Sequence, residues 1–130
     1  MKEGLKVGNE KRFVRTVTKE MFAKFGGRLI HPTYSTVAMI YHMEWISRLL
    51  LEPYLEEHEE GLGGGVSVKH LAPSAEGTKI TVTGTVTDVA LPKVVTTVEV
   101  TNEKGLIGTG EVIQYVMSKE QLSKKLSSFS

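Results

Sequence analysis

A carboxylate stands in the middle of the most apolar run of this chain. Ser35 to Pro53 reads STVAMIYHMEWISRLLLEP, with Glu44 beside Trp45. If the run is helical, the same-face neighbours of Glu44 are Ile40, Tyr41, Ser47 and Arg48. Arg48 is four residues on, the spacing of a surface ion pair. The other reading puts Glu44 on the wall of a pocket. Burial there raises a carboxylate's pKa, a neighbouring cation lowers it, and the group serves as general base or nucleophile.

His70 lies in VSVKHLAP, on a short strand, where a histidine is either structural or catalytic. Thr36 falls at a helix start. Its plain role is a cap. Its chemical role rests on the same geometry, because free N–H groups at a helix N-terminus stabilise a developing oxyanion. A hydroxyl there can also bond a substrate carbonyl or a water. Gly61, Gly63, Gly64 and Gly65 in GLGGG either form a flexible turn or let backbone approach a ligand. No helix follows them, so they match neither phosphate-loop nor dinucleotide patterns. His31 sits in a connection and His58 in an acidic stretch. His42 and Glu44 are about 200° apart round a helix, so they share no face and no metal site is expected.

These residues need elements to position them. Lys11 to Thr18 alternates and is rich in β-branched residues, which predicts a strand. TKEMFAKFGG predicts a short helix capped by Thr18 and stopped by Gly26 and Gly27. RLIHPTY is a connection. The next helix begins near Ser35 or Thr36 and runs to about Glu52, where Pro53 ends it. Its apolar residues cover most of the circumference, which predicts a buried helix. Leu55 to Gly65 reads as an acidic and then glycine-rich loop. A short strand, VSVKHLA, follows, then TKITVTGTVTDVA, KVVTTVEVTNEKG and LIGTGEVIQYVM. Ala90 to Pro92 and Asn102 to Gly105 are the turns. Ser118 and Gln121 form a capping box for a terminal helix. One long helix among such strands is enclosed by a curved antiparallel sheet. The expected fold class is therefore α+β, a hot-dog fold of about five strands round one central helix. The whole chain, 1–130, is expected to be one domain.

Composition narrows the function classes. Sixteen basic and 15 acidic residues give a net charge of +1, which leaves no electrostatic footprint for nucleic acid or an anionic membrane. Cysteine is absent, which removes disulfides, thiolate zinc sites and a cysteine nucleophile. MKEGLKVGNEKRF is not a secretory signal, and no apolar run reaches the roughly 20 residues of a membrane helix. A soluble cytoplasmic protein is expected.

Thr36, Glu44, Trp45, Gly63 and His70 together resemble the fluoroacetyl-CoA thioesterase family, a hot-dog branch of acyl-CoA thioesterases. The similarity runs from MKEGLKVG over nearly the whole chain and is densest across TVAMIYHMEW, EPYLE and LGGGVSVKHLAPSAEGTKITVTG. Eight residues separate Thr36 from Glu44 and twenty-six separate Glu44 from His70, which suits the family pattern without gaps. The resemblance implies that Thr36, Glu44 and His70 are catalytic. It implies that Gly63 places backbone beside the acyl group, with Gly64 and Tyr34 as further substrate contacts. It implies hydrolysis of a small acyl-CoA thioester without metal or cofactor, by a homodimer whose sites lie at its seam. The connection before Thr36 is shorter than the family's, and Tyr34 and Phe25 are its aromatic candidates for a gate. Fluoroacyl specificity is therefore not carried over. Lys69, Lys93 and Arg28 are the candidates for the CoA phosphates. Two other functions remain. One is a non-catalytic module that binds acyl-CoA or an acyl carrier. The other is an enoyl-CoA hydratase, which resembles a pattern of aspartate and histidine five apart that is not found here.

Overall fold

The computed structural model describes residues 1–128. Seven strands and two helices follow in order: β1 (Glu10–Thr16), β2 (Phe22–Phe25), β3 (Arg28–Tyr34), α1 (Thr36–Leu51), β4 (Glu59–His70), β5 (Lys79–Ala90), β6 (Lys93–Asn102), β7 (Gly105–Ser118) and α2 (Lys119–Ser127). Five strands form one sheet in the order β1-β5-β6-β7-β4, every pairing antiparallel. Strands β2 and β3 form a separate hairpin.

The sheet wraps α1 because its inner face is apolar and its outer face is threonine-rich. Ile80, Val82 and Val86 of β5, Val98 and Val100 of β6, and Val112 of β7 all turn inward. They meet Met39, Met43, Ile46 and Leu51 of the helix, each fully enclosed and each stabilising by about 1.5–3 kcal/mol. The helix lies very close to the sheet because glycine clears the way. A Cβ at Gly110 would stand 2.5 Å from the Met43 sulfur and 2.7 Å from the Ser67 carbonyl.

Four elements differ from the sequence expectations. The short helix after Thr18 is only a 3-10 turn, Lys19–Met21, and the chain then enters β2. Gly26 and Gly27 have φ of 59° and 78°, so they close a hairpin instead of stopping a helix. RLIHPTY is accordingly β3, not a connection. The acidic, glycine-rich stretch is also not a loop. Strand β4 begins at Glu59 and pairs with β7 from Glu59–Ser118 to His70–Gly108, with a bulge between Gly63 and Gly65. Ladder hydrogen bonds to a long neighbour outweigh the weak intrinsic strand preference of glycine. Finally, α1 is not buried all round. Val37, Tyr41 and Trp45 are 59%, 62% and 36% exposed and form an open apolar stripe.

The smaller features agree with the sequence. The Asn102 side chain accepts from the Lys104 N–H in the β6–β7 turn. Ser118 and Gln121 make both bonds of the capping box before α2. No helix among the described residues is long and apolar enough to cross a membrane.

Candidate functional site

The cap of α1 is Ser35, whose hydroxyl accepts from the Ala38 N–H at 3.0 Å. Ser35 is also held by a backbone bond from its N–H to the Met21 carbonyl, which ties the helix start to the turn before β2. With the cap supplied there, the Thr36 hydroxyl is free for another partner. It lies 2.9 Å from His70 Nδ1, thirty-four residues away at the end of β4. The pairing of β4 with β7 carries His70 to that place, since His70 stands opposite Gly108. Burial pushes the His70 pKa below the usual histidine value, and the Ala72 backbone partly offsets this. The ring is therefore neutral at pH 7. Its Nε2 is enclosed and has no partner of full hydrogen-bond geometry.

Glu44 lies two turns further along α1, on its exposed side. It is not half of an ion pair with Arg48. The Arg48 guanidinium bonds Glu52 at 2.9 Å, Glu60 at 3.0 Å and the Gly61 carbonyl at 3.0 Å. Among the described residues Glu44 has no such partner. It lines a cleft of about 340 Å³ with Tyr41, Trp45, Arg48, Gly63 and Gln114. A Cβ at Gly63 would come within 3.4 Å of Glu44 Oε1, so the glycine keeps the carboxylate's surroundings open.

The structure thus brings Thr36 to His70 and Glu44 to Gly63, but it leaves these two groups apart. Eight helical residues separate Thr36 from Glu44, about 12 Å of rise. Neither Thr36 nor His70 lines the Glu44 cleft. Gly64 points elsewhere, with the Tyr115 ring packed over it. Tyr34 is enclosed, 1% exposed, and its hydroxyl bonds His42 Nδ1 at 2.7 Å. Phe25 is exposed beside the β2–β3 turn, away from the described clefts. Lys69, Lys93 and Arg28 stand on three different strands.

Sequence reasoning missed the Tyr34–His42 pair. The rings stack at 5.7 Å with an interplanar angle of 19°. Burial raises the Tyr34 pKa, and burial followed by the charge of Arg15 lowers that of His42. Both groups are neutral and hold the helix start against β3. A larger cavity, about 440 Å³, opens beside them between the hairpin and α1, lined by Met21, Phe22, Val37, Ala38, Tyr41 and His42 among others. No cluster of three metal-ligating side chains occurs among the described residues.

Chemically, the Thr36–His70 pair at a helix N-terminus suits a carbonyl oxygen that gains charge. A carboxylate without a cation partner, on an open cleft, suits proton abstraction from water.

Comparison with known proteins shows the family and the fold. The model of the fluoroacetyl-CoA-specific thioesterase family matches residues 17–120. No curated protein matches the chain by sequence. A hypothetical protein of Thermus thermophilus, described as a thioesterase superfamily member, is 33% identical with a TM-score of 0.91, over 98% of this chain and 94% of that one. A hot-dog-like protein from Thermanaerovibrio acidaminovorans is 26% identical with a TM-score of 0.84, over 94% and 90%. The fluoroacetyl-CoA thioesterase FlK, at 23% identity, shares the fold with a TM-score of 0.87 over 98% and 99%.

Proposed function

The chain belongs to the fluoroacetyl-CoA-specific thioesterase family, and from that premise we propose that it hydrolyses a small acyl-CoA thioester with Thr36, Glu44 and His70. It is a hot-dog thioester hydrolase. The observation that carries the site is the Thr36–His70 bond of 2.9 Å at the start of α1. FlK structures include complexes with acetyl-CoA and with fluoroacetate and CoA, which supports an acyl-CoA of short chain as the ligand class.

In the proposed reaction the thioester carbonyl lies at the α1 N-terminus, polarised by free N–H groups with Thr36 beside it. Neutral His70 fixes the Thr36 hydroxyl. Glu44 takes a proton from water, and the water oxygen bonds the carbonyl carbon. The C–S bond then breaks and the thiolate leaves with a proton. Gly63 leaves room for the acyl group beside Glu44.

The active form we propose is a homodimer acting in the cytoplasm, each copy being one hot-dog unit over residues 1–130. The 12 Å rise between Thr36 and Glu44 supports it, being about the span of three or four hydrogen bonds. The exposed stripe of Val37, Tyr41 and Trp45, with Val66 on the edge strand β4, supports it as well. A second copy covering that stripe would bring its own Glu44 towards the Thr36–His70 pair.

The same separation within one chain favours a second reading, a non-catalytic acyl-CoA module. Thiol release from a panel of acyl-CoAs, acetyl and fluoroacetyl to aromatic, separates the two. Turnover that disappears in Glu44→Gln and His70→Ala supports hydrolysis. Thermal stabilisation by acyl-CoA without thiol release supports the module.

A further inference from the structure

The inner face of the sheet is a field of valine and isoleucine with two polar exceptions in its central strands, Thr96 and Gln114. Gln114 on β7 is 5% exposed, and its Oε1 is wholly enclosed without a hydrogen-bond partner. Leaving a buried acceptor unpaired destabilises the fold. A methionine or leucine would fill the same space without that cost. The side chain that bears it lines the Glu44 cleft.

We propose that Gln114 is a further residue of the hydrolytic site, binding the attacking water together with Glu44. This rests on the thioesterase reading above. Gln114 stands directly opposite Gly63 in the β4–β7 ladder. Gly63 has no side chain to separate it from Glu44, whose Oε1 borders the same glycine. Glutamine, glycine and glutamate therefore line one wall of a cleft of about 340 Å³, room for several waters at ~30 Å³ each. Arg48, the cation of that cleft, is already engaged by Glu52, Glu60 and the Gly61 carbonyl.

The choice of a neutral amide is chemically apt. A cation beside Glu44 would weaken it as a base, whereas a carboxamide leaves its charge uncompensated. The amide N–H of Gln114 can donate to the water oxygen and hold it in one orientation while Glu44 accepts and removes a proton. The water oxygen then bonds the thioester carbonyl carbon, the C–S bond breaks, and Glu44 returns its proton towards the leaving thiolate.

The test uses the full chain and thiol release from acetyl-CoA and its longer homologues. Wild type, Glu44→Gln, Gln114→Met and Gln114→Leu run side by side, with melting temperatures. Both Gln114 variants are expected to keep KM, to melt at or above the wild-type temperature, and to lose kcat about 100-fold, the cost of a misplaced reactant. Unchanged kcat in folded Gln114 variants, beside an active wild type, would overturn this inference alone. So would unfolding of both variants, since the amide would then be held for structure. A wild type inactive on every thioester would overturn the thioesterase reading and this inference with it.

Discussion

Two inactive variants, Glu44→Gln and His70→Ala, are expected to restore each other when combined. Thr36 and His70 are bonded at 2.9 Å, whereas Glu44 lies eight residues along the helix. At about 1.5 Å per residue that is a rise of about 12 Å. Side chains lean towards the helix start, which recovers part of this distance. The reacting atoms must nevertheless lie within about 3–3.5 Å of the groups that act on them. Glu44 of one copy is therefore expected to serve the Thr36–His70 pair of the other. Each variant alone should lose about 10²–10⁴-fold in turnover. In a mixed dimer one of the two sites keeps both groups. Random mixing makes roughly half of the dimers mixed, so roughly a quarter of wild-type turnover should return. Co-expression with two different affinity tags, double purification and thiol-release assay would measure it, with roughly half of wild-type turnover expected for the pure mixed dimer. Mixed dimers as inactive as their parents would refute the reasoning and place the whole site in one chain.

Three further outcomes are open to measurement. His42 and His70 have pKa values lowered by burial, so the folded state binds fewer protons than the unfolded state. Their contribution is full above the unfolded value of about 6.5 and is lost as pH falls through the lower folded values. Melting temperature should thus fall from about pH 6.5 downward, and His42→Gln should flatten the slope, whereas Glu59 and Glu60, also lowered, act only in the more acidic range below 4.5. Gly110→Ala should destabilise by about 1–3 kcal/mol in urea unfolding, because the new methyl meets both the Met43 sulfur and the Ser67 carbonyl. Ser35→Ala should cost about 1 kcal/mol in the same assay by removing the α1 cap.

The long periodic elements were legible in the sequence. The helix from Thr36 to Leu51 and strands β5 to β7 carry strong period-3.6 and period-2 signals between clear turns. The hairpin of β2 and β3 was not, because four-residue FAKF has too few residues to show a period. The glycine pair after it looks the same as a helix stop. Strand β4 was hidden for a different reason. Glutamate and glycine are poor strand formers, and only the β7 ladder, far away in sequence, makes them extended. The residue types of the site were readable, but their partners were not. Arg48 is four residues from Glu44, yet Glu60 and Gly61 reach it from β4. Gln114 gave no sequence signal, since its inward direction is set by the register of β7.

The bulge in β4 has a consequence for how this strand can change length. Gly63 borders Glu44 and His70 bonds Thr36, so both must face α1. They are seven residues apart, an odd number, and an unbroken strand would send one of them to the outer surface. The extra residue at Gly63–Gly65 restores the parity. A one-residue deletion at Gly64 would leave both faces as they are, as a regular strand. The same deletion between Val66 and Lys69 would swing His70 outward and part it from Thr36. The glycine stretch is thus a joint of β4 where the chain can lose a residue without dismantling the pair.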